Sequence, residues 1–131
     1  MKVIVDTSIW SLALRRDKTG PHSSVMKLRN LIGDHRVQML GPIRQEILSG
    51  IRSEAQFQKV RDHLASFPDF PLISEDYETA AVYFNQCRSK GIQGLNTDFL
   101  ICAASVRGEF SIFTLDRDFA LYSQYLPITL C

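Results

Sequence analysis

Lys2-Val3-Ile4-Val5-Asp6-Thr7-Ser8 opens the chain with a short β-branched run that ends on an acid and two hydroxyls. Such a run reads as a buried strand. A strand that starts at residue 2 and ends in Asp-Thr-Ser suits the first strand of a parallel α/β sheet. Thr7 or Ser8 is placed to cap a helix over 9–14. Residues 37–40, 111–114 and 128–130 read as further short strands. Helices are predicted between them, over 23–32, from Gly41-Pro42 onward, and over 54–64, 75–90, 98–107 and 118–125. Gly20-Pro21 marks a loop, and residues 67–73, with Pro68 and Pro71, form a loop with room for a short edge strand. Helices alternating with strands imply an α/β fold, a mostly parallel sheet of about four or five strands covered on both faces.

Helical spacing assigns the buried sides. Ile43, Ile47 and Ile51 form the stripe of the third helix. Tyr77, Ala80, Ala81, Phe84 and Cys87 share one side of the long helix over 75–90. The helix over 98–107 is apolar on nearly every side and should be central.

At 131 residues the chain is expected to form one domain, 1–131, with a sizeable core. The apolar fraction of 45% and charged fraction of 22% are those of a soluble globular protein. A net charge of +1 excludes a global basic field, so any polyanion contact must be local. Cys87, Cys102 and Cys131 form no C-x-x-C pair and are odd in number, which suits a reducing cytoplasm better than a disulfide framework. The longest apolar run, 99–106, is far too short to span a membrane, and the N-terminus does not read as a signal peptide.

Four acids stand where packing alone would not put them. Asp6 and Asp116 each follow a predicted strand, the edge of a parallel sheet where function collects. Asp98 lies in the first turn of its helix, where the dipole favours a carboxylate. Glu46 falls within or beside the Ile43–Ile47 stripe. Each alone has a bland reading: a turn former, a helix starter, or an ion pair of Glu46 with Arg44 or Arg52. Together they are harder to dismiss. Two carboxylates about 5 Å apart repel by roughly 3 kcal/mol at an effective dielectric of about 20. A hard divalent cation is the usual remedy.

The motifs Asp6-Thr7-Ser8, the mid-chain Glu46, Thr97-Asp98-Phe99-Leu100-Ile101-Cys102-Ala103-Ala104 and Thr114-Leu115-Asp116-Arg117-Asp118-Phe119 occur in that order. This set resembles the PIN-domain ribonucleases, and the short single-domain length resembles the VapC-type toxins of toxin–antitoxin pairs. The likeness covers almost the whole chain. Glu46 transfers least directly, since that region varies; Glu54 and Glu75 lie on no comparable apolar face. Cys102 stands where a small residue such as Ala is more usual.

The resemblance implies a three-layer, Rossmann-like PIN fold and Mg²⁺- or Mn²⁺-dependent hydrolysis of RNA, leaving a 5′-phosphate and a 3′-hydroxyl. It implies Asp6 and Asp98 as main metal ligands, with Glu46 and Asp116 orienting bound waters or holding a second ion. Thr7, Ser8 and Thr114 would hydrogen-bond the carboxylates, with Asp118 as helper or helix cap. The partners it implies are a second copy of the chain and a small antitoxin whose basic side chain enters the acidic pocket. Arg15, Arg16 and Lys18 are candidates for contacts to RNA phosphates if they lie beside that pocket. Trp10 is expected to pack under the sheet rather than stack on a base, and His22, His35 and His63 lack metal-ligand spacing.

Four other readings compete. The acids could bind a cation or basic peptide without turnover, or serve an RNA-processing nuclease that is not a toxin. A phospho-acceptor receiver expects paired acids after the first strand and a late Lys, and no Lys follows residue 90. A haloacid-dehalogenase-type phosphatase needs Asp-x-Asp where this chain has Asp6-Thr7-Ser8.

Overall fold

The computed structural model describes residues 1–15 and 22–131. The expected loop at Gly20-Pro21 lies outside these. β1 (Val3–Val5) is followed by α1 (Thr7–Leu14), α2 (Ser23–Gly33), β2 (Val37–Gln38), α3 (Gly41–Leu48), α4 (Glu54–Leu64), α5 (Ser74–Ser89), α6 (Asn96–Gly108), β3 (Ser111–Phe113), α7 (Asp118–Tyr122) and β4 (Thr129–Leu130). The four strands pair in the order β2-β1-β3-β4, all parallel. Val3 lies opposite both Val37 and Ser111, and Val5 lies opposite Phe113. Every strand therefore ends at the same edge. β1 leads to β2 on one side while β3 lies on its other side. The order of strands thus switches between β1 and β3, the place where a parallel sheet opens a crevice.

The sheet centre is closed to water: every residue of β1 and β3 is buried. Helical faces complete the core with Ile9, Leu28, Ile43, Leu64, Phe99 and Ile101. Cys102 and Cys87 pack there as small apolar residues, and burial raises the Cys102 thiol well above the ordinary range. Trp10 is buried, donates its Nε1–H to the Val5 carbonyl at 3.1 Å and meets Phe67 edge-on, so it packs under the sheet as expected. The edge strand allowed over 67–73 reduces to one parallel bridge between Met39 and Asp69.

Three features differ from the sequence pattern. α3 ends at Leu48, so Ile51 lies beyond the helix whose stripe it was expected to continue. α1 begins at Thr7, so Asp6 and not Thr7 or Ser8 takes the N-cap position, and its side chain makes no capping bond. The buried stripe of α5 is Asp76, Ala80, Tyr83 and Cys87, while Tyr77 is 57% exposed. The face is rotated because an acid sits inside. Asp76 accepts from Arg107 Nε at 2.7 Å and Nη2 at 2.8 Å, and from the Ile73 N–H at 2.9 Å. Arg107 also donates to the Pro71 carbonyl and lies over the Phe70 ring. One carboxylate thus caps α5 and ties it to α6.

The Arg107 hydrogen bonds hold the Asp76 carboxyl below the usual carboxylate range, against the opposing effect of burial. Its stabilisation is complete above the unfolded pKa and is lost as pH falls through the folded one. Asp76→Ala is expected to lower the unfolding free energy by about 2 kcal/mol, the scale of a lost helix cap with charge-assisted bonds. Urea unfolding at neutral pH and at low pH checks this. The deficit should shrink in acid, and an unchanged midpoint at neutral pH would refute the assignment.

Candidate active site

Asp6 closes β1 at the switch point. Its N–H donates to the Phe113 carbonyl at 2.9 Å, which fixes it against the end of β3. The residue is buried. Its Oδ2 accepts from Thr114 Oγ1 at 2.7 Å and from Ser8 Oγ at 3.1 Å. Ser8 Oγ accepts in turn from the Leu115 N–H at 3.1 Å. Hydroxyls on both strand-end segments therefore anchor one carboxylate oxygen. Thr7 does not share this role: its Oγ1 is buried with no hydrogen-bond partner among the described residues.

Asp116 follows β3 and is linked to Asp6 through one atom. Thr114 Oγ1, which donates to Asp6, accepts the Asp116 N–H at 2.9 Å. The Asp116 carboxylate accepts the Asp118 N–H at 2.9 Å, a side-chain turn that starts α7. Asp118 is exposed in the first turn of α7, so the capping oxygen at this turn comes from Asp116.

Asp98 occupies the first turn of α6, which begins two residues earlier than expected. Its Oδ2 accepts from the Tyr122 hydroxyl at 2.7 Å. The Asp98 carboxyl is nevertheless raised above the usual range, first by loss of hydration and then by the charges of Asp116 and Asp6. The Tyr122 hydroxyl and the Leu95 main chain oppose this rise. Burial and the bond to Asp98 push the Tyr122 phenol up in its turn.

Glu46 sits on α3 beside the buried Ile43 and Ile47. By surface area it is exposed, yet crowding removes enough hydration to raise its carboxyl, with Asp6 and then Asp98 adding to the rise. The charges acting on it come from β1 and α6, so α3 delivers Glu46 to the same edge. The ion pair with Arg44 does not form. Arg44 donates Nε and Nη2 to Asp69 at 3.0 and 2.9 Å, Nη1 to the Leu64 carbonyl at 3.0 Å, and Nη2 to the Phe67 carbonyl. Arg52 forms no ion pair among the described residues either.

Asp6, Glu46, Asp98 and Asp116 thus come from four parts of the chain and share one electrostatic neighbourhood. Among the described residues, no three acidic, histidine or cysteine side chains form a ready-made cage for an ion. The donor set still fits a hard, hydrated cation, because it offers only oxygens and Mg²⁺ takes one or two carboxylates while keeping several waters. A groove of about 530 Å³ is lined by Pro42, Gln45, Tyr77, Ala81, Thr97 and Leu100, and none of the four acids lines it. Gln45 and Thr97 are the chain neighbours of Glu46 and Asp98.

Of the basic cluster, Arg16 and Lys18 lie outside the described residues. Arg15 is exposed at the far end of α1, roughly 13 Å of helical rise from Asp6. His22 accepts the Ser24 N–H on Nδ1 at 3.1 Å and caps α2. Tyr122 escaped the reading of motifs, since it is 24 residues from Asp98 and sits among apolar neighbours on a short helix.

The PIN domain family matches residues 3–124. The chain belongs to that family. Solved structures share its fold: VapBC2 from Rickettsia felis bound to a promoter DNA fragment has a TM-score of 0.79 at 16% identity, covering 100% of this chain and 98% of that one. FitAcB from Neisseria gonorrhoeae has a TM-score of 0.77 at 16% identity, covering 98% and 95%. PAE2754 from Pyrobaculum aerophilum is more distant, with a TM-score of 0.59 at 14% identity, covering 96% and 87%. No curated protein sequence matches the chain. No helix among the described residues is long and apolar enough to cross a membrane.

Proposed function

We propose that this chain is a metal-dependent RNA endonuclease, acting as the toxin of a toxin–antitoxin pair. One observation carries the reading: carboxylates from β1, α3, α6 and the turn after β3 bear on one another at the switch point, with no arginine or lysine of the described residues paired to them. Such a site suits Mg²⁺ or Mn²⁺, with Asp6 and Asp98 as main ligands and Glu46 and Asp116 acting on bound water or on a second ion. A divalent ion bound there polarises a phosphate and lowers the pKa of an attacking water. Asp6, held by Ser8 and Thr114, and Asp98, held by Tyr122, fix two edges of the site. Glu46 and Asp116 stay exposed to entering water and substrate. Arg15 stands far enough along α1 to meet a neighbouring phosphate of a bound strand rather than the one being cut.

Membership in a family whose members are generally nucleases supports hydrolysis of nucleic acid. Likeness in fold to VapBC2 and FitAcB supports the toxin reading. By the same analogy the chain pairs as a homodimer with a small antitoxin, whose guanidinium or ammonium can neutralise the acids in place of metal. Cysteine usage supports a cytoplasmic setting.

The test is induced expression followed by sequencing of newly formed RNA ends, with Asp6→Asn as control. New ends carrying 5′-phosphates are expected only with the wild-type chain. Identical ends in the Asp6→Asn culture would remove this site from consideration. Cation binding without any new ends would favour the non-catalytic reading.

A further inference from the structure

Tyr122 is completely buried. Its ring packs against Phe99, with centroids 4.8 Å apart, and edge-on to Phe119 at 5.3 Å. A phenol in such a nest needs a polar outlet for its hydroxyl. It finds one in Asp98 Oδ2 at 2.7 Å, which joins α7 to the first turn of α6. The chain makes room for this contact: a Cβ at Gly94 would overlap the Tyr122 hydroxyl and stand 2.9 Å from Phe99 Cε2. Gly94 therefore lets the 91–95 loop close over the ring.

We propose that Tyr122 is a positioning residue that holds one oxygen of Asp98 so that the other is presented to a divalent cation. Three facts carry this. The carboxylate is on a helix turn, where an untethered Asp samples several rotamers, and the hydroxyl selects one. The tether reaches from a different element and is set by aromatic packing, so it is rigid. The donor is neutral, so it orients the carboxylate without cancelling the negative charge that a cation needs. A lysine or arginine in its place would compete with the ion. The inference rests on the proposed reading of the site as a cation site.

The experiment compares wild type, Tyr122→Phe and Gly94→Ala. Phe keeps the ring and removes the hydroxyl; Ala at 94 keeps the hydroxyl and pushes it aside. Calorimetric titration of the RNA-free proteins with Mn²⁺ is the primary readout. Affinity about tenfold weaker than wild type is expected for both variants, the low end of the effect of removing a ligand's supporting hydrogen bond. The Mn²⁺ concentration for half-maximal RNA cleavage should rise in parallel, with the KM for RNA unchanged. A purely structural role would shift the unfolding midpoint and leave Mn²⁺ affinity alone. Wild-type Mn²⁺ affinity in the folded variants overturns the proposal, as does loss of folding in both, which would make the residue part of the core alone. A wild-type protein that binds no Mn²⁺ brings down the cation reading itself, and this control separates the two failures.

Discussion

Asp98→Asn should reduce RNA cleavage by about 10³-fold or more while making the ion-free protein more stable. The first effect follows from the proposed role of Asp98: it would help to hold a divalent ion, which would stabilise charge on the reacting phosphate. The second follows from repulsion. Asparagine keeps an oxygen for the Tyr122 hydroxyl, so the bond between α6 and α7 survives. What disappears is a partly buried negative charge that Asp116 and Asp6 oppose. After solvent screening the gain is about 1 kcal/mol.

This gain carries a pH signature. A carboxyl whose folded pKa is raised contributes stability below its unfolded pKa, and that contribution is lost as pH rises through the folded value. The wild-type protein should therefore lose stability across the weakly acidic range, and Asp98→Asn should lose less, with Glu46 supplying the remainder. Denaturant melts in chelator at a series of pH values measure both. A variant that cleaves RNA at the wild-type rate would remove Asp98 from the site.

Thr114→Val should lower kcat by 10- to 100-fold, the range for removing a bond that orients a ligand. Valine has nearly the shape of threonine, so the end of β3 keeps its packing. The lost hydroxyl is the atom that donates to Asp6 Oδ2 and accepts the Asp116 N–H. Asp6 would keep only Ser8, and the turn carrying Asp116 would lose its tether. Thr114→Ser retains the hydroxyl and should recover most of the activity. Single-turnover cleavage at saturating metal separates the three proteins. Equal rates for Thr114→Val and wild type would mean that the hydroxyl merely closes a turn.

Much of this architecture could be read in the residues. Val3–Val5 is short, apolar and bounded by Lys2 and Asp6, and the apolar pair Ile112-Phe113 stops at Thr114, so the burial of both strands follows from local pattern. Asp6 and Asp116 come just after them, and a parallel sheet puts all such positions on one edge. Asp98 was legible from its place at the head of an apolar helix. Glu46 was harder, because its side chain stays exposed and only its helix stripe marks it.

What pattern could not supply were contacts between distant residues. Arg44 pairs with Asp69 and not with Glu46, Asp76 turns inward where Arg107 meets it, and Tyr122 reaches Asp98 from a different helix. Periodicity sums apolar positions and so read Tyr77 as buried, whereas a satisfied acid occupies that face of α5. Thr7 looked equivalent to Ser8 by composition. The helix starting at Thr7 turns only Ser8 toward the Asp6 carboxylate.

Far-apart acids gathered into one cation site should repel one another until a divalent ion relieves them. The unfolding midpoint of wild type and Asp98→Asn, each in chelator and at saturating Mg²⁺, measures this. The expected result is a crossing: the variant is more stable in chelator, and wild type gains with Mg²⁺, by about 2.7 kcal/mol when the ion is at 100 times its Kd, while the variant gains little. Equal midpoints in chelator, together with equal responses to Mg²⁺, would contradict it.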